Sequence, residues 1–103
     1  MNILDQIIDF KRKEIVERKI ALPVKSLERT GYFQRQTISL TEFVGRKDKS
    51  GIIAEFKRRS PSKGIINASA SVEVTTRGYA DAGASGLSVL TDQKFFGGCD
   101  DDL

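Results

Sequence analysis

The stretch IIAEFKRRSPSKGII, residues 52–66, decides the fold class of this chain. It predicts a short strand at about residues 51–57, followed by a loop of Ser, Pro, Lys and Gly. Because successive side chains of a strand point to opposite faces, Ile53, Glu55 and Lys57 share one face. The other face is apolar and suits a core; it consists of Ile52, Ala54 and Phe56.

The charged end of this strand is the first candidate for a functional site. Glu55 and Lys57 lie at its carboxyl end, where parallel α/β folds place their chemistry. A carboxylate beside an ammonium is suited to general acid/base catalysis. An edge strand with a solvated charged face gives the same pattern, and the pattern alone leaves both interpretations open.

A helix and a second strand follow the loop. Residues 71–83 predict a helix, with Ser69 or Ser71 as its cap and a glycine at its end. The side of this helix that is expected to pack against a sheet consists of Val72, Thr76, Tyr79, Ala80 and Gly83. Residues 86–91 predict a second strand, so strand, helix and strand form a βαβ unit with a parallel pair. On the second strand one face is small and polar and is expected to face a pocket; it consists of Gly86, Ser88 and Leu90.

The residues before the first strand predict helices. An apolar stripe at helical spacing indicates a helix over the first twenty residues, capped by Asn2 and ended by Leu22 before a proline. A short helical turn is expected in residues 24–31. The S-x-x-E sequence from Ser39 to Glu42 is a capping box and predicts a third helix. The predicted division is therefore a helical extension, 1–50, and a βαβ unit, 51–103.

Composition restricts the class of protein further. The chain has 103 residues, is 39% hydrophobic and 30% charged, and carries a net charge of +3, all typical of a soluble globular domain. It has no apolar run of roughly 18 residues and no secretory signal pattern. The absence of histidine excludes His-based triads and His metal sites, and the single cysteine, Cys99, favours a reducing cytoplasm.

Three other motifs could indicate a nucleotide, nucleic-acid or metal site, and each fits its pattern only weakly. The loop 60–64 lacks the spacing of a nucleotide-binding P-loop. The basic run 57–59, with Lys63, is a candidate nucleic-acid patch in which Phe95 and Phe96 would stack on bases. The acidic run 100–102 fits no EF-hand and predicts instead a solvated first turn of a helix.

Two blocks of this sequence resemble the indole-3-glycerol phosphate synthase family. IIAEFKRRSPSKG is similar to the family's first barrel strand and its loop. YADAGASGLSVLTDQKFFGGCDDDL is similar to the end of the first barrel helix, the second strand and the loop after it. The N-terminal helices resemble the family's extension before the barrel. The resemblance implies a (β/α)₈ TIM barrel of about 250 residues, of which this chain supplies the N-terminal portion with two parallel strands.

The resemblance also implies an activity. The family is a carboxy-lyase of tryptophan biosynthesis that closes an indole ring, with decarboxylation and dehydration of 1-(2-carboxyphenylamino)-1-deoxyribulose 5-phosphate, and needs neither cofactor nor metal. It implies Glu55 and Lys57 as the catalytic pair. The substrate-binding residues that it implies are Ser60 and Pro61 in the loop, and Ser88, Leu90 and Phe96 on the anthranilate side.

The resemblance further implies that this chain is incomplete. The family's principal general-acid lysine, a second glutamate and most phosphate ligands lie on later strands. We therefore expect the 103-residue chain to be inactive alone and to self-associate through open strand edges. The expected partner is a phosphorylated small molecule, with no nucleic acid and no membrane. The alternative class is a non-catalytic barrel piece that folds only in an assembly.

Overall fold

The computed structural model describes residues 1–103 and contains two compact units, Met1–Ile38 and Ser39–Leu103. The first unit holds α1 (Ile3–Ala21) and α2 (Val24–Leu27). The second unit holds every strand and the remaining helices. The predicted boundary between extension and βαβ unit, after residue 50, stays a prediction.

Helix α1 begins and ends as its sequence predicts. The side chain of Asn2 accepts a hydrogen bond from the Asp5 N–H at 2.8 Å, which satisfies one free donor of the first turn. Leu22, which precedes a proline, caps the other end. On the helix surface Glu14 lies 2.8 Å from Arg18, an i,i+4 pair worth a few tenths of a kcal/mol.

The second unit is built on a parallel pair of strands. Strand β1 (Ile53–Phe56) pairs with β4 (Gly86–Val89), and Glu55 stands opposite Ser88 in the register. The predicted parallel βαβ unit is therefore confirmed, although both strands are shorter at their ends than expected. Helix α4 (Val72–Asp81) connects them through intervening loops.

Helix α4 covers the sheet only in part. Ser71 caps it by accepting a hydrogen bond from the Val74 N–H, and Gly83 turns the chain after it with φ of +97°. On the side predicted to pack, Val72, Thr76 and Tyr79 are half-buried, but Ala80 is exposed, so its predicted place in the packing face is wrong.

The core of the second unit is small. Phe56, 4% exposed, is the buried apolar side chain of the sheet, whereas Ile52 and Leu87 on the same apolar face stay exposed. Beside the sheet and α4 lies a cleft of about 190 Å³, lined by Ser50, Ile52, Ala54, Tyr79, Ala82 and Ala84. One face of the sheet is thus incompletely filled, as the limited length of α4 predicts.

A short helix packs on the start of β4. Helix α3 (Leu40–Gly45) is capped by Ser39, whose hydroxyl accepts from the Glu42 N–H as the S-x-x-E motif predicts. A Cβ at Gly86 would lie 2.5 Å from a methyl carbon of Leu40. A side chain at position 86 would therefore force the end of the Leu40 side chain to shift.

The loop after β1 folds back on itself. Strands β2 (Arg59–Ser60) and β3 (Gly64–Ile65) form a small antiparallel hairpin where the sequence predicts only a loop. Two-residue strands carry no alternation pattern, which explains why the hairpin was missed. Gly64, the first residue of β3 after the turn, has φ of +65°, a conformation that favours glycine.

The chain ends in a 3₁₀ turn (Asp100–Asp102), close to the predicted start of a helix. None of the helices is both long enough and apolar enough to cross a membrane.

Candidate active site

Three polar side chains meet at the carboxyl end of the parallel pair, and we call them the acid/base cluster: Glu55, Lys57 and Ser88. The Ser88 hydroxyl donates to Glu55 Oε2 at 2.8 Å. The Lys57 Nζ lies 3.5 Å from the other carboxylate oxygen, Oε1. The strand parity that predicts a common face for these residues is confirmed by the pairing of β1 with β4.

The acid/base cluster is open to solvent in this chain. The side chains of Glu55 and Lys57 are 46% and 39% exposed. Water screens the attraction between such charges, so the ion pair adds little to stability. The cluster therefore presents a carboxylate, an ammonium and a hydroxyl that a ligand can reach.

Leu90 lies two residues after Ser88, the last member of the acid/base cluster. Its N–H donates to the Phe56 carbonyl at 3.1 Å, which extends the ladder beyond the last residue of β4. Its side chain is half-buried. By the period of two along a strand, positions 88 and 90 share one face, as the predicted pocket face requires.

Ser60 and Pro61, the predicted binding residues of the first loop, occupy different environments. Ser60 is buried, at 8% exposed, and its hydroxyl accepts from the Lys63 N–H at 3.2 Å within the hairpin turn. Pro61 is exposed beside that turn. The Ser60 hydroxyl thus stabilises the loop, and of these two residues Pro61 is the exposed one.

Phe96 lies in a structured turn after β4. One oxygen of the Asp92 carboxylate accepts from the Phe95 N–H at 2.6 Å and from the Phe96 N–H at 3.2 Å. The ring side chain is half-buried. A Cβ at Gly98 would lie 2.0 Å from the Leu90 carbonyl oxygen, so this position needs glycine for the turn to close on the strand.

An ion pair that the sequence analysis did not find ties the end of β1 to the last turn; we call it the Arg58–Asp102 anchor. The guanidinium donates to both carboxylate oxygens, at 2.6 and 3.1 Å. The Arg58 and Asp102 side chains are 20% and 8% exposed. The Cys99 N–H donates to the same carboxylate at 3.1 Å, and the guanidinium also lies over the Phe56 ring.

The anchor shifts the titration of both partners. Hydrogen bonding from Arg58 is the main cause that holds the pKa of Asp102 below its usual value, and the Cys99 N–H acts in the same direction. The carboxylate in turn raises the pKa of Arg58. The prediction of a solvated acidic turn at 100–102 is wrong for Asp102, because a partner 44 residues away desolvates it, whereas Asp100 and Asp101 are exposed.

The basic run 57–59 is used within the chain. Its first member joins the acid/base cluster, its second forms the anchor, and Arg59 donates to backbone carbonyls of the loop after β4. Each of its two arginines therefore has a hydrogen-bond acceptor within this fold. Among the described residues, no group of three or more His, Cys, Asp or Glu side chains is placed to hold a metal ion.

The fold and site define a class: an α/β protein with a parallel strand pair and an acid/base cluster at its carboxyl edge. The family follows from sequence comparison, since the model of the indole-3-glycerol phosphate synthase family matches residues 4–103. This chain belongs to that family.

Individual relatives agree with this assignment. The indole-3-glycerol phosphate synthase of Bacteroides thetaiotaomicron is 46% identical over 97 residues, which are 94% of this chain and 37% of the relative. That of Exiguobacterium sibiricum is 41% identical over all 103 residues, or 38% of the relative. That of Bacillus cereus is 42% identical over 102 residues, or 36% of its length. The chain thus spans little more than a third of the relatives that it matches.

Proposed function

We propose that these residues form the first part of the (β/α)₈ barrel of an indole-3-glycerol phosphate synthase, a carboxy-lyase that closes the indole ring of its substrate. The observation that carries the proposal is the acid/base cluster, with Glu55 held between Ser88 and Lys57 at the carboxyl edge of the parallel pair. Active sites of such barrels lie at this edge.

The contacts of the cluster support one role for each member. Glu55 is the group that takes up or delivers a proton during dehydration, in which the substrate loses a hydroxyl and a hydrogen as water. Lys57 places a positive charge beside a substrate that carries a carboxylate and a phosphate, and it balances the Glu55 charge. Ser88 fixes one oxygen of Glu55 and leaves the other directed towards Lys57.

The remaining site residues would shape the pocket. We place Pro61 and Ser60 on the side of the first loop, and Leu90 and Phe96 against the anthranilate ring, because apolar and aromatic side chains favour such a ring. The Ser60 hydroxyl, which accepts from the Lys63 N–H, can still donate its own proton to a substrate. We expect the reaction to need no cofactor and to take place in the cytoplasm.

The test compares the 103-residue chain with a complete enzyme, defined here as residues 1–103 joined to the part of the Bacteroides thetaiotaomicron relative that the match leaves out. Formation of indole-3-glycerol phosphate, followed by fluorescence, is the measurement. We expect turnover by the complete enzyme and none detectable by the chain alone, because losing a general acid by itself costs roughly 10²–10⁴-fold. An inactive complete enzyme beside an active unmodified relative would contradict the proposal.

We also infer that the isolated chain self-associates. Its two-stranded sheet has open edges, and its apolar face carries the exposed Ile52 and Leu87. Sedimentation over a concentration series is the measurement. A compact monomer that unfolds cooperatively at high micromolar concentration would show instead that the chain is a self-sufficient small domain.

A further inference from the structure

Arg59 joins two loops that lie far apart in the sequence. Its Nη2 donates to the carbonyl oxygen of Gln93 at 2.8 Å and to that of Lys94 at 2.9 Å, across 34 and 35 residues. Arg59 begins the hairpin after β1, and the two carbonyls belong to the turn after β4. A charged donor on two neutral carbonyls makes stronger hydrogen bonds than a neutral donor does.

The stem of the same side chain lies along a glycine. Gly97 has φ of +68°, and a Cβ built there would lie 3.0–3.2 Å from the Nε, Cδ and Cγ of Arg59. The space that a side chain at position 97 needs is therefore taken by the arginine. Since residue 97 follows Phe96 directly, Arg59 borders the backbone that carries the aromatic ring.

The turn that Arg59 contacts is closed by hydrogen bonds between its own backbone groups. The Gly97 N–H donates to the Gln93 carbonyl at 3.0 Å, and the Gly98 N–H donates to the Asp92 carbonyl at 2.8 Å. The Gln93 oxygen thus accepts from both Gly97 and Arg59. Arg59 therefore binds a turn that is already closed by its own hydrogen bonds, and Phe96 lies within that turn.

We propose that Arg59 is a positioning residue that sets where Phe96 stands relative to the acid/base cluster, a role that rests on the proposed function. Both hydrogen bonds leave from one nitrogen, Nη2, at the tip of the arginine side chain, and a lysine side chain ends one atom short of that position. Arg59 touches neither the substrate nor the reacting atoms in this role. It acts through the aromatic side of the site and therefore on substrate binding.

The test uses the complete enzyme with Arg59→Ala and Arg59→Lys, and with Arg77→Ala as the matched control. Arg77 is an exposed arginine of α4 that forms an ion pair with Glu73 of the same helix. Two measurements are needed: hydrogen exchange of the amides at residues 95–98, and kcat and KM over a range of pH.

We expect Arg59→Ala to speed exchange at residues 95–98 by roughly tenfold, because two charge-assisted hydrogen bonds are lost. We expect kcat/KM to fall by about tenfold, mainly through KM, with no change in the shape of the pH profile. Arg59→Lys should recover part of both effects, and it decides the question if the alanine variant does not fold. Arg77→Ala should change neither.

Each contrary result has a distinct meaning. Unchanged exchange at residues 95–98 would show that Arg59 does not hold the turn. Faster exchange with unchanged KM would overturn the positioning role. An inactive parent enzyme would instead contradict the proposed function, and with it the effect of Arg59 on substrate binding. Hydrogen exchange at residues 95–98 would still decide whether Arg59 holds the turn.

Discussion

Lys57 and Arg58 are neighbours in sequence, yet they serve two ion pairs of opposite character. The acid/base cluster that contains Lys57 is about two-fifths exposed, whereas Asp102 in the Arg58–Asp102 anchor is 8% exposed. Alternation along an extended chain sends adjacent side chains in opposite directions, which separates the two pairs. The solvent-accessible pair is available to a ligand, whereas the desolvated pair joins the end of β1 to the last turn of the chain.

The largest expected effect is a loss of kcat without a matching loss of thermal stability when the acid/base cluster is changed. In the complete enzyme we expect Glu55→Gln and Lys57→Met each to lower kcat by about 10²-fold or more, because each removes an acid/base or charged group. Thermal unfolding should change little, since exposed ion pairs add at most about 1 kcal/mol. Near-normal kcat in both variants would contradict the catalytic assignment, and unfolding would make the pair structural.

At the Arg58–Asp102 anchor we expect the opposite, a clear loss of stability when one partner is changed. Asp102→Asn should lower the denaturation midpoint of the complete enzyme clearly more than Glu55→Gln does, because it leaves the Arg58 guanidinium without its charged partner. Asp101→Asn is the matched control, since that carboxylate is exposed. Equal midpoints for the two asparagine variants would show that the anchor does not stabilise the fold.

A smaller effect is expected at Ser88. Ser88→Ala removes the donor to Glu55 Oε2, and we expect kcat to fall by roughly three- to tenfold, the range of one partly solvated hydrogen bond to a charged group. Ser88→Thr keeps a hydroxyl and serves as the control. If Ser88→Ala keeps full kcat, the hydroxyl does not orient the carboxylate.

The smallest effect is a dependence on acid pH. The folded chain lowers the pKa of Asp102, so the stability from the anchor is complete above the ordinary aspartate pKa of about 3.9 and is lost as pH falls through the lower folded value. The stability gap between the parent and Asp102→Asn should be constant above about pH 5 and should close below about pH 4. A gap that persists in acid would exclude a charge-based contribution.

The elements of this chain were largely predictable because their signals are local. The cap at Asn2, the stop at Leu22 and the S-x-x-E motif from Ser39 each depend on contacts within four residues, and the structure has all three. The hairpin at 59–65 was missed because its strands are too short for a periodic pattern. Ala80 was misplaced because helical spacing does not show how much of a helix face the neighbouring sheet covers, and this residue is exposed.

The sequence by itself determined the family and the common face of Glu55, Lys57 and Ser88, because strand parity and long motif blocks are properties of adjacent residues. Only the tertiary structure decided which acceptor each arginine binds. Arg58 finds Asp102 across 44 residues, and Arg59 finds two backbone carbonyls across 34 and 35. A chain with 17 basic and 14 acidic residues offers many such pairings, and the pairing that forms depends on which loops the parallel strands bring together.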